Sequence, residues 1–220
     1  MPGVLRGLSI AVLLTALPVT AGVLTLGADD PEPPPAPAYT STPLAEVDTT
    51  TLAVARAPFC DLLPEEAVVE ALGGSEALGG AESRVAAYGN GERARIAPGV
   101  RDVAHEYGCR LTAAGSGAEA QAWVFAPPVT ADRARDLAAE AADVRRCERQ
   151  PDAPALGEPT VALVCGAGDR RTASFRGLLG DAWLACSVTA PESVAEPDLV
   201  DRAGRFCVAV ARAAAPAAEE

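Results

Sequence analysis

The sequence contains no lysine, a single histidine and few aromatic residues, and these shortages narrow the range of functions. All 18 basic residues are arginine, which we interpret as a genomic base-composition bias without functional meaning. His105 is the only histidine, so a Ser-His-Asp site would need it, yet no Gly-x-Ser-x-Gly elbow presents a serine. A lone histidine without clustered carboxylates also offers too few metal ligands. We therefore expect no catalytic, cofactor-binding or metal-binding residues.

Aromatic side chains and positive charge are both too scarce for a nucleic-acid-binding protein. Aromatic residues make up 4% of the chain, too few for the stacking platforms that bind bases or sugars. The formal net charge is −12 at pH 7, which repels phosphate backbones and anionic lipid surfaces. We expect no nucleic-acid partner.

A long uncharged run near the N-terminus determines the expected topology. Residues 7–28, between Arg6 and Asp29, are 22 consecutive positions without charge. A helix of that length, at about 1.5 Å per residue, crosses the ~30 Å hydrocarbon layer. The positive flank should stay in the cytoplasm, which predicts a single-pass cell-membrane protein with its C-terminal body outside. The competing interpretation is a secretory signal cleaved after Val-Thr-Ala at residues 19–21, which would give a secreted protein.

The rest of the chain divides into a linker, a domain and a tail. Residues 29–51 are rich in proline and lack apolar periodicity, which predicts a disordered linker. Residues 52–213 are long enough for one domain with its own core. Residues 214–220 are rich in alanine and are expected to be a disordered tail. Residues 1–28, which precede the linker, are the predicted membrane anchor or signal segment.

Three helices are predicted within the domain. Pro64 suits the first position of a short helix, and Gly73 suits the left-handed position that follows its end. Thr130 can cap a second helix, which the apolar spacing extends to about Cys147. A third, amphipathic helix is predicted after Pro197.

Strands are predicted between these helices, and they should form an antiparallel sheet. Asn90-Gly91 indicates a hairpin within residues 84–96. The run at residues 165–171 contains Gly-x-Gly, but Arg171 replaces the third glycine of a dinucleotide-binding motif, so a hairpin turn is predicted there. Further strands are predicted at residues 107–113, 120–126, 160–165, 172–178 and 181–189.

Two tryptophans are followed at equal spacing by a cysteine, a pattern compatible with internal duplication. The separation from Trp123 to Cys147 equals that from Trp183 to Cys207. If a strand-to-helix unit is duplicated, each tryptophan should be buried against an equivalent helix. Coincidence is the alternative.

The six cysteines all lie in the predicted domain, and none forms the Cys-x-x-Cys spacing of a zinc or redox motif. Their even number in an exported domain indicates three structural disulfides. A strand cysteine is easily bridged to a cysteine on a helix packed against it. This argument favours Cys186 with Cys207 and Cys147 with Cys165, and Cys60 with Cys109 is the pair that remains. The expected pairs are Cys60 with Cys109, Cys147 with Cys165, and Cys186 with Cys207. Other connectivities stay open.

The start of the domain also carries a short motif. It opens with Cys60-x-Leu-Leu-Pro-Glu-Glu, continues with Leu72-Gly-Gly, and places Gly108 and Cys109 on a predicted strand. Over residues 58–130 this pattern resembles the uncharacterised secreted or lipoprotein-type domain families of actinobacterial cell envelopes. The chain departs from them in lacking a lipid-attachment cysteine after the apolar run and in carrying Leu111 where an aromatic residue often follows. The resemblance implies no particular activity.

Two arginine pairs, at residues 145–146 and 170–171, are further candidates for binding an anion. Solvated surface charge is the preferred interpretation of both pairs.

The combined prediction is an α+β domain with an antiparallel sheet, helices packed on one face and three disulfides. We expect a membrane-anchored, extracytoplasmic binding, sensor or accessory module without catalytic activity, whose partner is an envelope protein or a small ligand. The alternatives are an exported hydrolase of unrecognised type and a structural subunit of a membrane complex. A concave pocket converging on His105 and carboxylates would favour the hydrolase, an open apolar groove would favour the binding module, and a featureless charged surface would favour the structural subunit.

Overall fold

The computed structural model describes residues 39–75, 83–97, 99–113 and 116–216, with the backbone alone for Ile96, Ala97 and Ala167. The predicted membrane anchor or signal segment, and residues 29–38 of the predicted linker, lie outside the described residues. Within the described part, no helix is both long enough and apolar enough to cross a membrane.

The domain is α+β, as the sequence predicts. The described residues form a seven-stranded antiparallel sheet, a separate two-stranded sheet and three α-helices. The helices are α1 (Glu65–Ala71), α2 (Ala131–Ala142) and α3 (Glu196–Ala213). The strands are β1 (Ser83–Tyr88), β2 (Arg93–Ala97), β3 (Val100–Val103), β4 (Glu106–Ala113), β5 (Glu119–Phe125), β6 (Cys147–Arg149), β7 (Thr160–Ala167), β8 (Arg170–Leu179) and β9 (Ala182–Pro191). Short 3-10 helices at Leu44–Glu46, Thr49–Thr51 and Cys60–Leu62 precede α1.

The large sheet has the strand order β1-β4-β5-β9-β8-β7-β6, and all of its neighbouring pairs are antiparallel. The predicted neighbours β4 and β5 are adjacent. Gly168, with φ of 68°, and Gly180, with φ of 65°, occupy the turns on either side of β8. Glycine reaches this left-handed region at little steric cost, so both predicted turns are confirmed.

Helices cover both faces of the sheet, which corrects the prediction that they pack on one face. Trp183 and Leu184 are consecutive on β9, so their side chains point to opposite faces, yet each is at most 1% exposed. Leu184 belongs to the cluster that includes residues of α1 and α3, and Trp183 belongs to the cluster formed with α2. Apolar side chains on both faces of the central strands are the physical reason for the two helical layers.

The predicted hairpin within residues 84–96 is wrong. Gly91, with φ of 85°, does occupy a turn, but the strands on its two sides do not pair with each other. β1 pairs with β4 at one edge of the large sheet, whereas β2 pairs with β3 in the small sheet. The chain therefore leaves one sheet at this turn and enters another.

The second helix is shorter than predicted. Thr130 caps α2 by accepting a hydrogen bond from Arg133 N at 3.3 Å, but the helix ends at Ala142 and Cys147 lies on the edge strand β6. Arg146 adopts the left-handed region, with φ of 69°, between the helix and the strand.

The two tryptophans are not buried against equivalent helices. Trp123, half-buried, and Trp183, fully buried, both pack into the cluster formed with α2. Cys147 lies on a strand and Cys207 on a helix. The equal spacing in the sequence therefore corresponds to no equivalent packing.

The predicted linker packs on the domain from residue 39 onwards. Tyr39 and Ser41 donate hydrogen bonds to the carboxylate of Glu70 at 2.9 Å and 2.7 Å. Leu44 is 3% exposed and belongs to the core. Thr49 donates to Ala155 O and accepts from the N–H of residue 157. Hydroxyl groups here supply the hydrogen bonds that proline cannot donate, and Leu44 adds apolar burial.

The end of the domain also extends beyond its predicted boundary. Ala214 is buried, and its carbonyl accepts a hydrogen bond from Ala55 N at 2.7 Å. This bond joins the residue after α3 to the segment before α1. Residues 217–220 of the predicted tail lie outside the described residues.

All six cysteines form disulfides in the expected connectivity: Cys60 with Cys109, Cys147 with Cys165, and Cys186 with Cys207. The first bond ties the 3-10 turn before α1 to β4, the second joins β6 to β7, and the third joins β9 to α3. The disulfides thus fix the start of the domain, an edge strand and the last helix to the sheet.

Candidate functional site

The first turns of α3 form one side of a cleft with a volume of about 320 Å³, which we call the α3 cleft. Residues 43–45 and the loop 150–154 form its other sides, and Phe175 of β8 lies at its base. Its volume is within the range of small-molecule sites, which are about 300–1,000 Å³.

Close packing at Gly204 and a hydrogen bond from Gln150 position the walls of the α3 cleft. A Cβ at Gly204 would lie 3.2 Å from Leu44 Cβ, so glycine allows residues 43–45 to approach α3 closely. Gln150 Nε2 donates to Glu196 Oε1 at 3.2 Å, and its backbone N–H donates to Ala162 O at 2.9 Å. These bonds hold the start of the loop 150–154 against both α3 and β7.

The lining of the α3 cleft combines apolar side chains with carboxylates. Leu44 and Phe175 are 3% and 1% exposed, so they contribute to the cleft from the core. Asp152, Glu196 and Asp201 also line it, and no arginine is among its lining residues. The cleft therefore has an apolar base and a negative rim.

Arginines outside the α3 cleft pair with two of its carboxylates. Arg171 NH1 lies 3.3 Å from Glu196 Oε2, and Arg205 Nε lies 2.7 Å from Asp201 Oδ2. These ion pairs orient the carboxylates and partly balance their charge. Both pairs are partly exposed, so solvent weakens them.

A second cleft, of about 590 Å³, lies beside the disulfide between β6 and β7, and we call it the disulfide cleft. Its lining includes Cys147 and brings together three of the four predicted arginines, while Arg145 is not part of it. The charged lining residues are Arg146, Arg170, Arg171, Glu148, Glu192 and Glu196.

The arginines of β8 are used to hold backbone segments in place. Arg171 NH2 donates to the carbonyls of Glu192, at 2.7 Å, and Val194, at 3.1 Å. Arg170 NH2 donates to the carbonyl of residue 117. These bonds tie the turn between β4 and β5 and the segment after β9, which lie at the same end of the sheet, to the start of β8. The two side chains therefore have structural partners besides any anion.

His105 lies apart from both clefts. Its side chain is exposed just before β4, and its backbone carbonyl accepts a hydrogen bond from Ala126 N at 3.0 Å. It is not among the lining residues of the α3 cleft or the disulfide cleft. Across residues 39–75, 83–97, 99–113 and 116–216, no group of three or more His, Cys, Asp or Glu residues could hold a metal ion.

One half-buried polar pair was not suggested by the sequence. Tyr88 OH donates to Glu106 Oε1 at 2.9 Å. Burial raises the pKa of the Glu106 carboxyl, and the hydrogen bond from Tyr88 partly opposes this shift. Burial and the nearby Glu106 carboxylate raise the pKa of Tyr88 as well. The pair links β1 to β4 and titrates outside the usual ranges of both groups.

Sequence reasoning did not identify the α3 cleft, because its walls come from four separate parts of the chain. They are residues 43–45, residues 150–154, Phe175 and the first turns of α3. The prolines at positions 43, 154 and 197 were the only local signal, since each restricts the backbone at a wall of the cleft.

No family model and no curated protein matches this chain.

Proposed function

We propose that the chain is an extracytoplasmic binding module without catalytic activity, held at the cell envelope by its N-terminal segment. Its α3 cleft takes a small ligand with an apolar body and a positively charged group. The observation that carries the proposal is the apolar base of this cleft beneath a rim of carboxylates.

The proposed location is supported by the disulfides and by the N-terminal sequence. Disulfides persist in oxidising compartments and are rare in the cytosol, and all six cysteines of this chain are bridged. The uncharged residues 7–28 are long enough to direct export or to anchor the chain. Both observations favour a domain that folds outside the cytoplasm.

The proposed ligand class follows from the chemistry of the cleft. Phe175 and Leu44 offer apolar contact, and burying apolar area contributes roughly 25 cal/mol per Å². Asp152, Glu196 and Asp201 favour a cation over a neutral or anionic group of the same shape. A small amine or quaternary ammonium compound with an aromatic or branched body meets both requirements.

The hydrolase alternative receives no comparable support. A hydrolase using His105 would need this side chain inside a pocket with a nucleophile and an orienting group. His105 is exposed and lines neither cleft. The binding module is therefore the function that we propose.

The test is a titration of the purified domain with three probes of similar shape. The probes are 2-phenylethylammonium, the neutral 2-phenylethanol and the anionic phenylacetate, followed by nuclear magnetic resonance of the backbone amides. We expect the ammonium compound to bind most tightly and to shift the amides of residues 43–45, 150–154 and the first turns of α3. Equal binding of all three probes, or shifts elsewhere in the domain, would contradict the proposal.

Matched carboxylate variants locate the charge recognition. Asp152→Asn combined with Asp201→Asn should weaken ammonium binding by about 3- to 10-fold, as expected for partly solvated charge pairs. Asp198→Asn is the control, because Asp198 is an exposed acidic residue of α3 outside the cleft lining. An equal loss in the control would show that recognition depends on overall charge and not on the cleft.

A further inference from the structure

The disulfide between β6 and β7 is the most accessible of the three. Cys147 and Cys165 are both half-buried, whereas the other four cysteines are buried. These four are Cys60, Cys109, Cys186 and Cys207, and each is at most 8% exposed. Reagents in solution therefore have the least obstructed approach to the Cys147–Cys165 bond.

The surroundings of this bond suit the approach of a thiolate. Cys147 lines the disulfide cleft, whose volume of about 590 Å³ can admit a small thiol or the tip of a protein loop. Arg146 is adjacent to Cys147 and lines the same cleft. Arginine beside a cysteine stabilises the thiolate form, which is the nucleophile and leaving group in disulfide exchange. The three glutamates that line the cleft offset the charge of its three arginines. Arg146 therefore favours a thiolate at Cys147 only because the two residues are adjacent.

The bond ties a short edge strand to the sheet, and we expect this strand to detach without unfolding of the domain. β6 has three residues and lies at the edge of the sheet, where β7 is its only neighbour in the strand order. The other two disulfides attach different elements, namely the turn before α1 and the helix α3. Opening the Cys147–Cys165 bond therefore leaves the turn before α1 and the helix α3 bridged to the sheet.

We propose that Cys147 and Cys165 form a thiol–disulfide exchange site for a dithiol reductant outside the cytoplasm. One thiolate of the dithiol attacks Cys147 Sγ, the bond to Cys165 Sγ breaks, and the electron pair leaves on Cys165, which takes up a proton. The second thiolate attacks the dithiol's own sulfur in the mixed disulfide and releases Cys147, which also takes up a proton. The dithiol is oxidised to a disulfide, and both cysteines are reduced to thiols.

Reduction frees β6 and the start of the loop that follows it. Glu148 and Arg149 pair with β7, and the Gln150 N–H donates to Ala162 O. Without the disulfide, the edge strand is held by these bonds, by the Gly166 N–H donating to Arg146 O, by Gln150 Nε2 donating to Glu196, and by contact with α2. The same segment continues into residues 150–154, so the reduced domain has a more mobile loop at this position. This inference does not depend on whether the α3 cleft binds a ligand.

The test is limited reduction of the folded, fully oxidised domain with dithiothreitol as the dithiol. Free thiols are alkylated at timed intervals, and peptide mass spectrometry identifies the alkylated cysteines. We expect Cys147 and Cys165 to be alkylated at least about tenfold faster than the other four, which serve as internal controls in the same sample. Earlier reduction of either buried disulfide, or simultaneous reduction of all three, would overturn the proposal.

A second measurement separates local opening from unfolding. In the double variant Cys147→Ser with Cys165→Ser, hydrogen exchange should accelerate for residues 147–150 and remain unchanged for the amides that join β8 to β9. Loss of protection throughout the sheet would overturn the proposal, because the disulfide would then be required for the whole fold. Limited reduction of the natural chain gives an independent result if this variant does not fold.

Discussion

The ring of Tyr88 on β1 lies directly over the backbone of Gly108 on β4. A Cβ at Gly108 would overlap Tyr88 Cζ and the hydroxyl oxygen. Tyr88 and Gly108 are direct partners in the register of the two strands, and the hydroxyl of Tyr88 reaches Glu106 from this position. The absence of a side chain at Gly108 is therefore what allows the Tyr88–Glu106 hydrogen bond.

Gly108→Ala should displace the Tyr88 ring and break its bond to Glu106. The expected loss is about 1–3 kcal/mol in the free energy of unfolding, measured by urea denaturation. Gly108→Ala should cost less than about 0.5 kcal/mol when it is introduced into a Tyr88→Ala variant, because the ring that it displaces is then absent. Additive losses in the double variant would show that Tyr88 is not the cause.

Gly177→Ala on β8 should lower the free energy of unfolding more than Gly166→Ala on the neighbouring strand β7. A Cβ at Gly177 would overlap the backbone carbonyl of Leu156, which cannot rotate away, whereas a Cβ at Gly166 would meet no atom within 4 Å. We expect the free energy of unfolding of Gly177→Ala to be lower than that of the natural chain by about 2 kcal/mol or more. That of Gly166→Ala should stay within about 0.5 kcal/mol of the natural chain. Similar losses in both would contradict the close contact between the 156–159 loop and β8.

The hydroxyl of Tyr39 should make the domain sensitive to alkaline pH. Burial, followed by the hydrogen bond to Glu70, raises the pKa of Tyr39 to about 12 from its usual value of 10.0. The unfolded chain releases this proton first, so the stability contributed by the neutral hydroxyl is present below pH 10 and is lost as the pH rises towards 12. Tyr39→Phe should reduce this alkaline loss in urea denaturation measured across that window.

Ser41→Ala is the matched control for Tyr39. Ser41 also donates a hydrogen bond to Glu70, but its hydroxyl does not titrate in this range. Both variants should lower stability at neutral pH by about 1 kcal/mol, whereas only Tyr39→Phe should flatten the alkaline profile. An unchanged profile in Tyr39→Phe would mean that residue 39 does not pack on the domain as described.

Ionisation of Glu106 should lower the stability of the folded domain as the pH rises above the acidic range. Its folded-state pKa is raised, mainly by burial, from a reference value of 4.5, so the folded domain holds this proton after the unfolded chain has released it. Stability from the protonated form is therefore complete below pH 4.5 and is lost as the pH rises through the raised pKa. Glu106→Gln keeps an acceptor for Tyr88 and should remove this part of the pH dependence.

The control for Glu106→Gln is Glu148→Gln, which removes one exposed carboxylate from strand β6. Urea denaturation at a series of pH values from about 4 to 7 compares the two variants with the natural chain. If both variants change the profile equally, the effect comes from overall charge and not from the half-buried position of Glu106.

Local patterns in the sequence were sufficient for most of the sheet. Thr130 marked the start of α2, and glycines marked the turns beside β8, because capping and left-handed turns depend on a few adjacent residues. The pair Cys186 with Cys207 does join a strand to a helix, as argued, whereas Cys147 with Cys165 was predicted correctly for a reason that does not hold, because Cys147 lies on β6. Features set by neighbouring residues could therefore be read without the structure.

Features set by distant parts of the chain could not be read in this way. The pairing of β1 with β4 depends on Gly108, which accommodates Tyr88 from a remote strand. The packing of residues 39–51 depends on Glu70 and on the loop 155–157, and proline content alone indicated a disordered linker. The α3 cleft required the same long-range information, because it forms only when residues 43–45 and 150–154 meet at α3.

The most direct test of the central claim is intact mass spectrometry of the natural protein. The protein is alkylated from the outer side of the membrane before it is extracted, and no reductant is added. The domain is proposed to fold outside the cytoplasm with its cysteines bridged. The account predicts at most two alkyl groups on any molecule, because Cys60, Cys109, Cys186 and Cys207 stay bridged. Alkylation of all six cysteines in the natural protein would contradict it.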